Sequence, residues 1–356
     1  MKTQFKQLIE KAHEQWFRMS IQKRDKWMVK TMSLPPLSKQ ELQQIHEVWP
    51  WLQLNNKDLI WVRMYKKEHG FDPYFITDWQ LHFILKQTNP YKQVVSLQNK
   101  AMVDVYFPEI PFPHNYLKNV RGVYWHDGEI MNVEKAAESI IKENIKLFVI
   151  KPSVDSGCGK GVKIIRLDSE NNNQEYLQKL LQSYNKDFVI QEVLRQHPAI
   201  QELNPSSINS CRVTSIFING VFTYSTILKV GKAGSDVDNW HSSYLIGVDD
   251  MGVVCGKGYD NRLNSVSKTD NGKVFWGTKL PCFEEMIARI KQWHIKYFPN
   301  IGVIGWDVIV DENNQIKVIE INTDSPGVLG EQFCSGPFFK EHNRSINELL
   351  LLIKTK

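Results

Sequence analysis

Residues 305–327 read GWDVIVDENNQIKVIEINTDSPG, two Val- and Ile-rich runs separated by Asn313-Asn314. Asn tolerates the left-handed backbone of a two-residue turn, so the spacing predicts a β-hairpin turning there. In that register Glu312 faces Gln315, residue 310 faces 317, and Asp307 faces Glu320. Directly opposed side chains have Cβ atoms about 4.5–5.5 Å apart, and like charges so placed destabilise the pair. Facing carboxylates are stable only if one is protonated or a cation lies between them. Asn322 follows Glu320 by two residues and points to the same face. Asp307, Glu320 and Asn322 therefore read as oxygen donors suited to a hard cation, magnesium or manganese. Gly305, opposite Asn322, is expected to leave room above them for a ligand. The other face is expected to hold Trp306, Val308, Ile319 and Ile321. The alternative is a solvated acid pair on an edge hairpin with the register slipped by one, which would put the acids into that apolar layer.

A second stretch, KPSVDSGCGKGVKII at 151–165, places Gly157, Gly159 and Gly161 between two short strands. Alternate glycines let backbone N–H groups approach an anion closely, as a phosphate requires. The stretch is not a P-loop, having no Gly-Lys-Ser/Thr before a helix. It is not a dinucleotide fingerprint either, since the chain returns into a strand. Lys151 ends the apolar run LFVIK and needs an anion or an exit to water. Lys160 either meets a phosphate from the loop or is solvated.

The chain has 356 residues, 42% hydrophobic and 23% charged, as expected of an ordinary globular protein with two or three domains' worth of core. No apolar run is long enough to span a bilayer, and MKTQFKQLIEKAHEQ lacks the apolar region of a signal peptide. Five scattered cysteines with no CxxC argue against a disulfide framework and a zinc site, so a cytoplasmic location is expected. Residues 1–30 hold eight Lys and Arg against three Asp and Glu, which accounts for the whole net charge of +5. Phe5, Leu8, Ile9, Ala12, Trp16 and Met19 recur there at helical spacing. We expect this stripe to dock on the core with the lysines in solvent; peripheral contact with an anionic membrane is the alternative. Nothing resembles a nucleic-acid module.

Residues 1–96 read as mostly helical, with a capping box SKQE at 38–41 opening a helix that carries Leu42, Ile45 and Trp49 inward. Segment 71–90 continues that character. Beyond residue 97, helices at 133–145, 174–184 and 283–298 alternate with strands at 147–152, 162–167 and 187–193, and with a hairpin over 211–228 turning at Asn219-Gly220. This pattern predicts an α+β architecture with antiparallel sheets.

Taken in order, these motifs resemble the ATP-grasp superfamily over roughly residues 97–330. The resemblance implies two α+β subdomains gripping ATP. NKAMVDVYFPEIPFP at 99–113 is similar to the family's opening element, which makes Lys100 the first nucleotide-binding lysine and Lys151 the second. SGCGKG, running from Ser156 to Gly161, is similar to the flexible loop over the phosphates. VIQEVL at 189–194 resembles the hinge, where Gln191, Glu192, Val193 and Leu194 would border adenine between apolar walls. GWDVIVD…VIEIN resembles the metal segment. A narrower resemblance, to the sugar-transfer-associated ATP-grasp proteins, rests on HPAIQELNPSSINSCRVTS at 197–215 and LKVGKAGSDVDNW at 228–240. Ser210 stands where Thr is usual and Lys229 where Arg is common. HSSYLIG replaces the usual Gly-Gly after Asp238-Asn239.

The expected domains are a helical region 1–96, a first ATP-grasp subdomain 97–193 with the glycine loop, and a second subdomain 194–356 with the metal site and a C-terminal helix. Arg212 and Lys229 are the candidate catalytic cations, since a permanently charged guanidinium suits a phosphate or an acyl-phosphate oxyanion. His197 and His241 read as loop residues. Asp238-Asn239 either orders its loop or touches the acceptor, and 325–340 is expected to border the acceptor pocket. The resemblance implies ATP with Mg2+ (or Mn2+) and small-molecule carboxylate and amine substrates, joined by a ligase that forms an acyl phosphate in surface polysaccharide biosynthesis. The rivals are a kinase of the same fold and a nucleotide-binding scaffold of a glycan assembly complex.

Overall fold

The computed structural model describes residues 2–52, 54–154, 159–235 and 242–354, with side chains described from residue 12 to residue 351 within those spans. Two antiparallel sheets organise it. The first is built from β1 (Asn115–Val120), β2 (Val123–His126), β3 (Glu129–Met131), β4 (Leu147–Pro152), β5 (Lys163–Arg166) and β6 (Phe188–Gln191), in the order β3-β2-β1-β6-β4-β5. The second contains β7 (Cys211–Ile218), β8 (Val221–Gly231), β9 (Ser243–Val248), β10 (Val254–Tyr259), β11 (Ser265–Val266), β12 (Val303–Val310) and β13 (Ile316–Asn322), in the order β11-β10-β9-β8-β7-β12-β13.

Strand alternation decides which side chains of the first sheet are covered. Phe148 and Ile150 of β4, with Phe188 and Ile190 of β6, pack under helices Val133–Lys142 and Gln174–Tyr184. Each helix starts on an Asn, Asn132 or Asn173, whose side chain accepts from a first-turn N–H. The intervening residues Val149 and Lys151 turn to the other face. In the second sheet, Trp306, Val308 and Val310 pack with Cys211 and Val213 against helix Phe283–Tyr297. The opposite face carries Ile216, Ile218 and Val303 at one end, and Arg212 and Asp307 at the other. The apolar end is covered by the N-terminal helices together with Phe333 and Phe339.

The Asn219-Gly220 turn forms as expected, both residues taking positive φ (52° and 80°) between β7 and β8. The β12–β13 hairpin differs from the expected one in its turn. Val310 pairs with Ile316, and Asp311 closes the loop: its N–H donates to the Gln315 carbonyl, and its carboxylate accepts from Asn313 and Gln315 N–H. Only Asn314 has positive φ, 60°. A bulge then absorbs one residue of β13, so that Asp307 faces Glu320 and Gly305 faces Asn322 as the sequence predicts. The bulged residue is Ile319, which lines the cleft instead of joining Trp306 and Ile321; Val318 takes its place in the core.

Residues 2–96 are helical over Lys2–Thr31, Lys39–Val48, Ile60–His69, Asp78–Thr88 and Tyr91–Val94, and the Ser38/Glu41 capping box forms. Segment 71–77 is not helical. Ile45 and Trp49 are fully buried, and Leu42 is partly so. The first helix docks through Phe17, Ile21, Asp25 and Met28, not through the expected stripe, whose Trp16 and Met19 are 65% and 60% exposed. Polar contacts mark the side that faces in: Arg18 pairs with Asp58, which also accepts from Gln22 Nε2, and Arg24 pairs with Asp78. Phe5, Leu8 and Ile9 fall outside the described side chains. Asn89 bonds Val303 and the Thr323 carbonyl, tying the helical region to the start of β12 and the residue that follows β13.

Candidate active site

The two sheets and the helical region enclose one large cleft of about 2320 Å³. Lys100, Lys151, Gly159, Gln191 to Leu194, Arg212, Lys229, Asp307, Glu320 and Asn322 all line it. Strands from distant parts of the chain bring the charges together. Asp307 of β12 lies across from Glu320 of β13 on one side and from Arg212 of β7 on the other.

That second neighbour changes the account of the opposed acids. Arg212 holds Asp307 with both prongs, Nε to Oδ1 at 2.8 Å and Nη2 to Oδ2 at 2.9 Å. Lys229 Nζ adds a contact to Oδ1 at 2.9 Å. Glu320 is matched by Lys100, 2.8 Å away. The chain itself supplies the cations that the sequence reading assigned to a metal. Burial alone would raise the Asp307 pKa, but the charges of Arg212 and Lys229 outweigh it and hold the carboxyl well below its ordinary value. Buried Arg212 is held charged by the same contact.

Asp307, Glu320 and Asn322 still fit a hard cation by their chemistry. A carboxylate oxygen carries a second lone pair, and Glu320 is part-exposed to the cleft. Asn322 donates Nδ2 to Asp307 Oδ2 at 3.4 Å, and a half-turn of the amide presents its oxygen there. The room expected above Gly305 is already filled: a Cβ would come within 2.6 Å of the Pro326 carbonyl, which accepts from Arg212 Nη1 at 2.7 Å.

Lys151 is buried at the end of β4. Burial, then repulsion from Lys100, push its pKa down to about 8 against the attraction of Glu320. Nearby Ser153 is buried with its hydroxyl unpartnered among the described residues, while its carbonyl accepts from Lys100 N–H at 3.0 Å. Gly159 and Gly161 have positive φ, and the Lys160 side chain is exposed. Ser156 and Gly157 fall outside the described residues, as do Asp238, Asn239 and His241. In the segment expected to be the hinge, Gln191 Nε2 bonds Asn115, and the Glu192 N–H donates to the His114 carbonyl. Glu192 therefore does not offer that N–H to the cleft. Val149 and Ile164 from the first sheet, and Ile319 from the second, supply apolar walls. His197 caps the short helix Pro198–Gln201, the structural place expected of it.

Glu331 escaped the sequence reading, although segment 325–340 was expected at the pocket. It is 2% exposed, accepts from the Thr214 hydroxyl, and lies 3.7 Å from Arg212. Burial pushes its pKa up to about 8, opposed by the charge of Arg212. At neutral pH it is mostly protonated. Lys100, Lys151, Arg212 and Lys229 gather around Asp307 and Glu320 in the cleft. An acid inside GVLGEQF gave one clue, burial of a charge among apolar residues, but nothing local names Thr214 or Arg212 as its neighbours.

Two antiparallel sheets closing over a lysine-lined cleft define an ATP-grasp fold. The chain belongs to the sugar-transfer associated ATP-grasp family, whose sequence model matches residues 81–348. Among solved structures it is similar to D-cycloserine synthetase DcsG (12% identity, TM-score 0.45, 87% of this chain and 95% of that one covered). It is also similar to the ATP-grasp ligase PsnB complexed with minimal precursor (10%, TM-score 0.42, 74% of this chain and 64% of that one). A third is D-alanyl-alanine synthetase A from Vibrio cholerae (12%, TM-score 0.39, 72% of this chain and 64% of that one). The chain thus spans under two thirds of the length of the last two. No curated protein matches it in sequence.

Proposed function

We propose that the protein is an ATP-dependent ligase that joins a carboxylate to an amine through an acyl phosphate, with a sugar acid or amino acid destined for a surface polysaccharide as one substrate. The observation that carries the reading is the gathering of Lys100, Lys151, Arg212 and Lys229 around Asp307 and Glu320, in one cleft with Gln191–Leu194. Family membership supports it.

In this reading Lys100 and Lys151 hold the ATP phosphates, and the segment from Ser156 to Gly161 closes over them. Adenine lies beside Gln191–Leu194, between Val149, Ile164 and Ile319. Mg2+ on Asp307, Glu320 and Asn322 would neutralise phosphate charge when bound. A carboxylate oxygen of the substrate attacks the γ-phosphorus as the bond to the ADP oxygen breaks. The amine nitrogen then attacks the acyl carbon, phosphate leaves, and the nitrogen loses a proton. Arg212 and Lys229 stabilise the oxyanion of the second step, and the chain's contribution is positioning and fixed charge.

The test is turnover of ATP and candidate acids in the presence of hydroxylamine. Hydroxamate formation is the expected result. ADP with a phosphorylated product and no hydroxamate assigns a kinase, and nucleotide binding without any turnover assigns a scaffold.

A further inference from the structure

The face of helix Lys2–Thr31 opposite its docked side is left to solvent. Trp16 and Met19 stand out from it, and Lys23, Lys26 and Lys30 follow over the next turns, all exposed. At 100° per residue these five positions fall within an arc of about 80°. The described acids of the helix lie elsewhere: Glu14 is paired with Lys86 and Asp25 with Arg24. The arc therefore carries large apolar groups and cations with no carboxylate among them.

Single exposed apolar residues are common on protein surfaces. An exposed Trp and Met one turn apart, continued by three lysines on the same line, have a specific complement. Ammonium groups attract anionic headgroups, while an indole and a thioether settle at the boundary between headgroups and acyl chains. We propose that this face docks the protein on an anionic lipid bilayer. No described helix is long and apolar enough to cross a membrane, so the attachment is peripheral. Phe17 and Met28, on the docked side of the same helix, border the cleft, which places the cleft beside the lipid plane. The proposal stands independently of the reaction catalysed.

The experiment is co-sedimentation of the full chain with vesicles of phosphatidylcholine alone, or of an equimolar mixture of phosphatidylcholine and phosphatidylserine, at low and high salt. Binding to the anionic vesicles alone, lost at high salt, is expected. Lys23→Gln, Lys26→Gln and Lys30→Gln together should weaken it on the order of a hundredfold, from roughly fivefold per lysine. Trp16→Ser with Met19→Ser should weaken it without moving the unfolding midpoint. Lys142→Gln with Lys179→Gln, on exposed helix positions elsewhere, should leave it unchanged. No sedimentation with anionic vesicles, or equal loss in both lysine variants, overturns the proposal. So does a lipid-free dimer that the Trp16 and Met19 changes abolish, since that would assign the face to a second copy of the chain.

Discussion

Replacing Arg212 with methionine tests whether the chain's own cations hold the opposed acids. The change removes two charge-assisted bonds to Asp307, at 2.8 and 2.9 Å, and one to the Pro326 carbonyl at 2.7 Å. Removing one partner of a buried ion pair costs about 3–5 kcal/mol. Lys229 stays 2.9 Å from Asp307, so the lower end, about 3 kcal/mol, is expected. In an Asp307→Asn background the same replacement loses mainly the bond to Pro326, about 1 kcal/mol. The cycle of four proteins, compared by urea unfolding at matched m-values, should thus yield a coupling of about 2 kcal/mol. The sign with pH follows from the depressed pKa of Asp307. Its contribution is present above the ordinary carboxylate value of 3.8 and is lost as pH falls through the lower folded value. Arg212→Met raises that folded value, so its penalty should shrink as the pH approaches about 4. Additive single changes, within about 0.5 kcal/mol, would refute the reasoning.

Three further outcomes are expected. ATP affinity, measured by calorimetry, should fall as pH rises through about 8, where Lys151 loses its proton, and Lys151→Arg should remove that break. Glu331 keeps a proton up to about pH 8 in the folded chain against 4.5 ordinarily, so the folded state binds the extra proton and stability should fall as pH rises between those values, by at most about 1.4 kcal/mol per unit. Glu331→Gln should flatten that slope in urea unfolding, and an unchanged slope would place the ionisation elsewhere. Gly305→Ala should destabilise by about 1–3 kcal/mol, because its Cβ would meet the Pro326 carbonyl at 2.6 Å; a neutral result in thermal unfolding would show that the 325–327 segment yields.

Much of the site was legible locally because strand periodicity assigns each side chain to a face. Lys151 stood out as the charged end of the apolar run LFVIK, and the Val- and Ile-rich runs flanking Asn313-Asn314 placed Asp307 across from Glu320 and Gly305 across from Asn322. The register was correct at the acids although the turn was not, since the bulge at Ile319 restored the residue that the longer loop had taken. The first helix shows the opposite case. It carries two competing stripes, and the buried one is marked by contacts to Asp58 and Asp78, tens of residues away.

By itself the sequence determined that two carboxylates meet on one hairpin, that a lysine ends a buried strand, and that glycines punctuate the turn that follows it. Short-range backbone geometry suffices for each. Only the tertiary structure decided what neutralises those acids: Arg212 sits 95 positions before Asp307 and reaches it because β7 lies beside β12, while Lys100 arrives at Glu320 from outside both sheets. The burial of Glu331 beside Thr214 and Arg212 was settled in the same way. Periodicity along a strand says which way a side chain points, but which strand lies alongside is chosen by the packing of the whole chain.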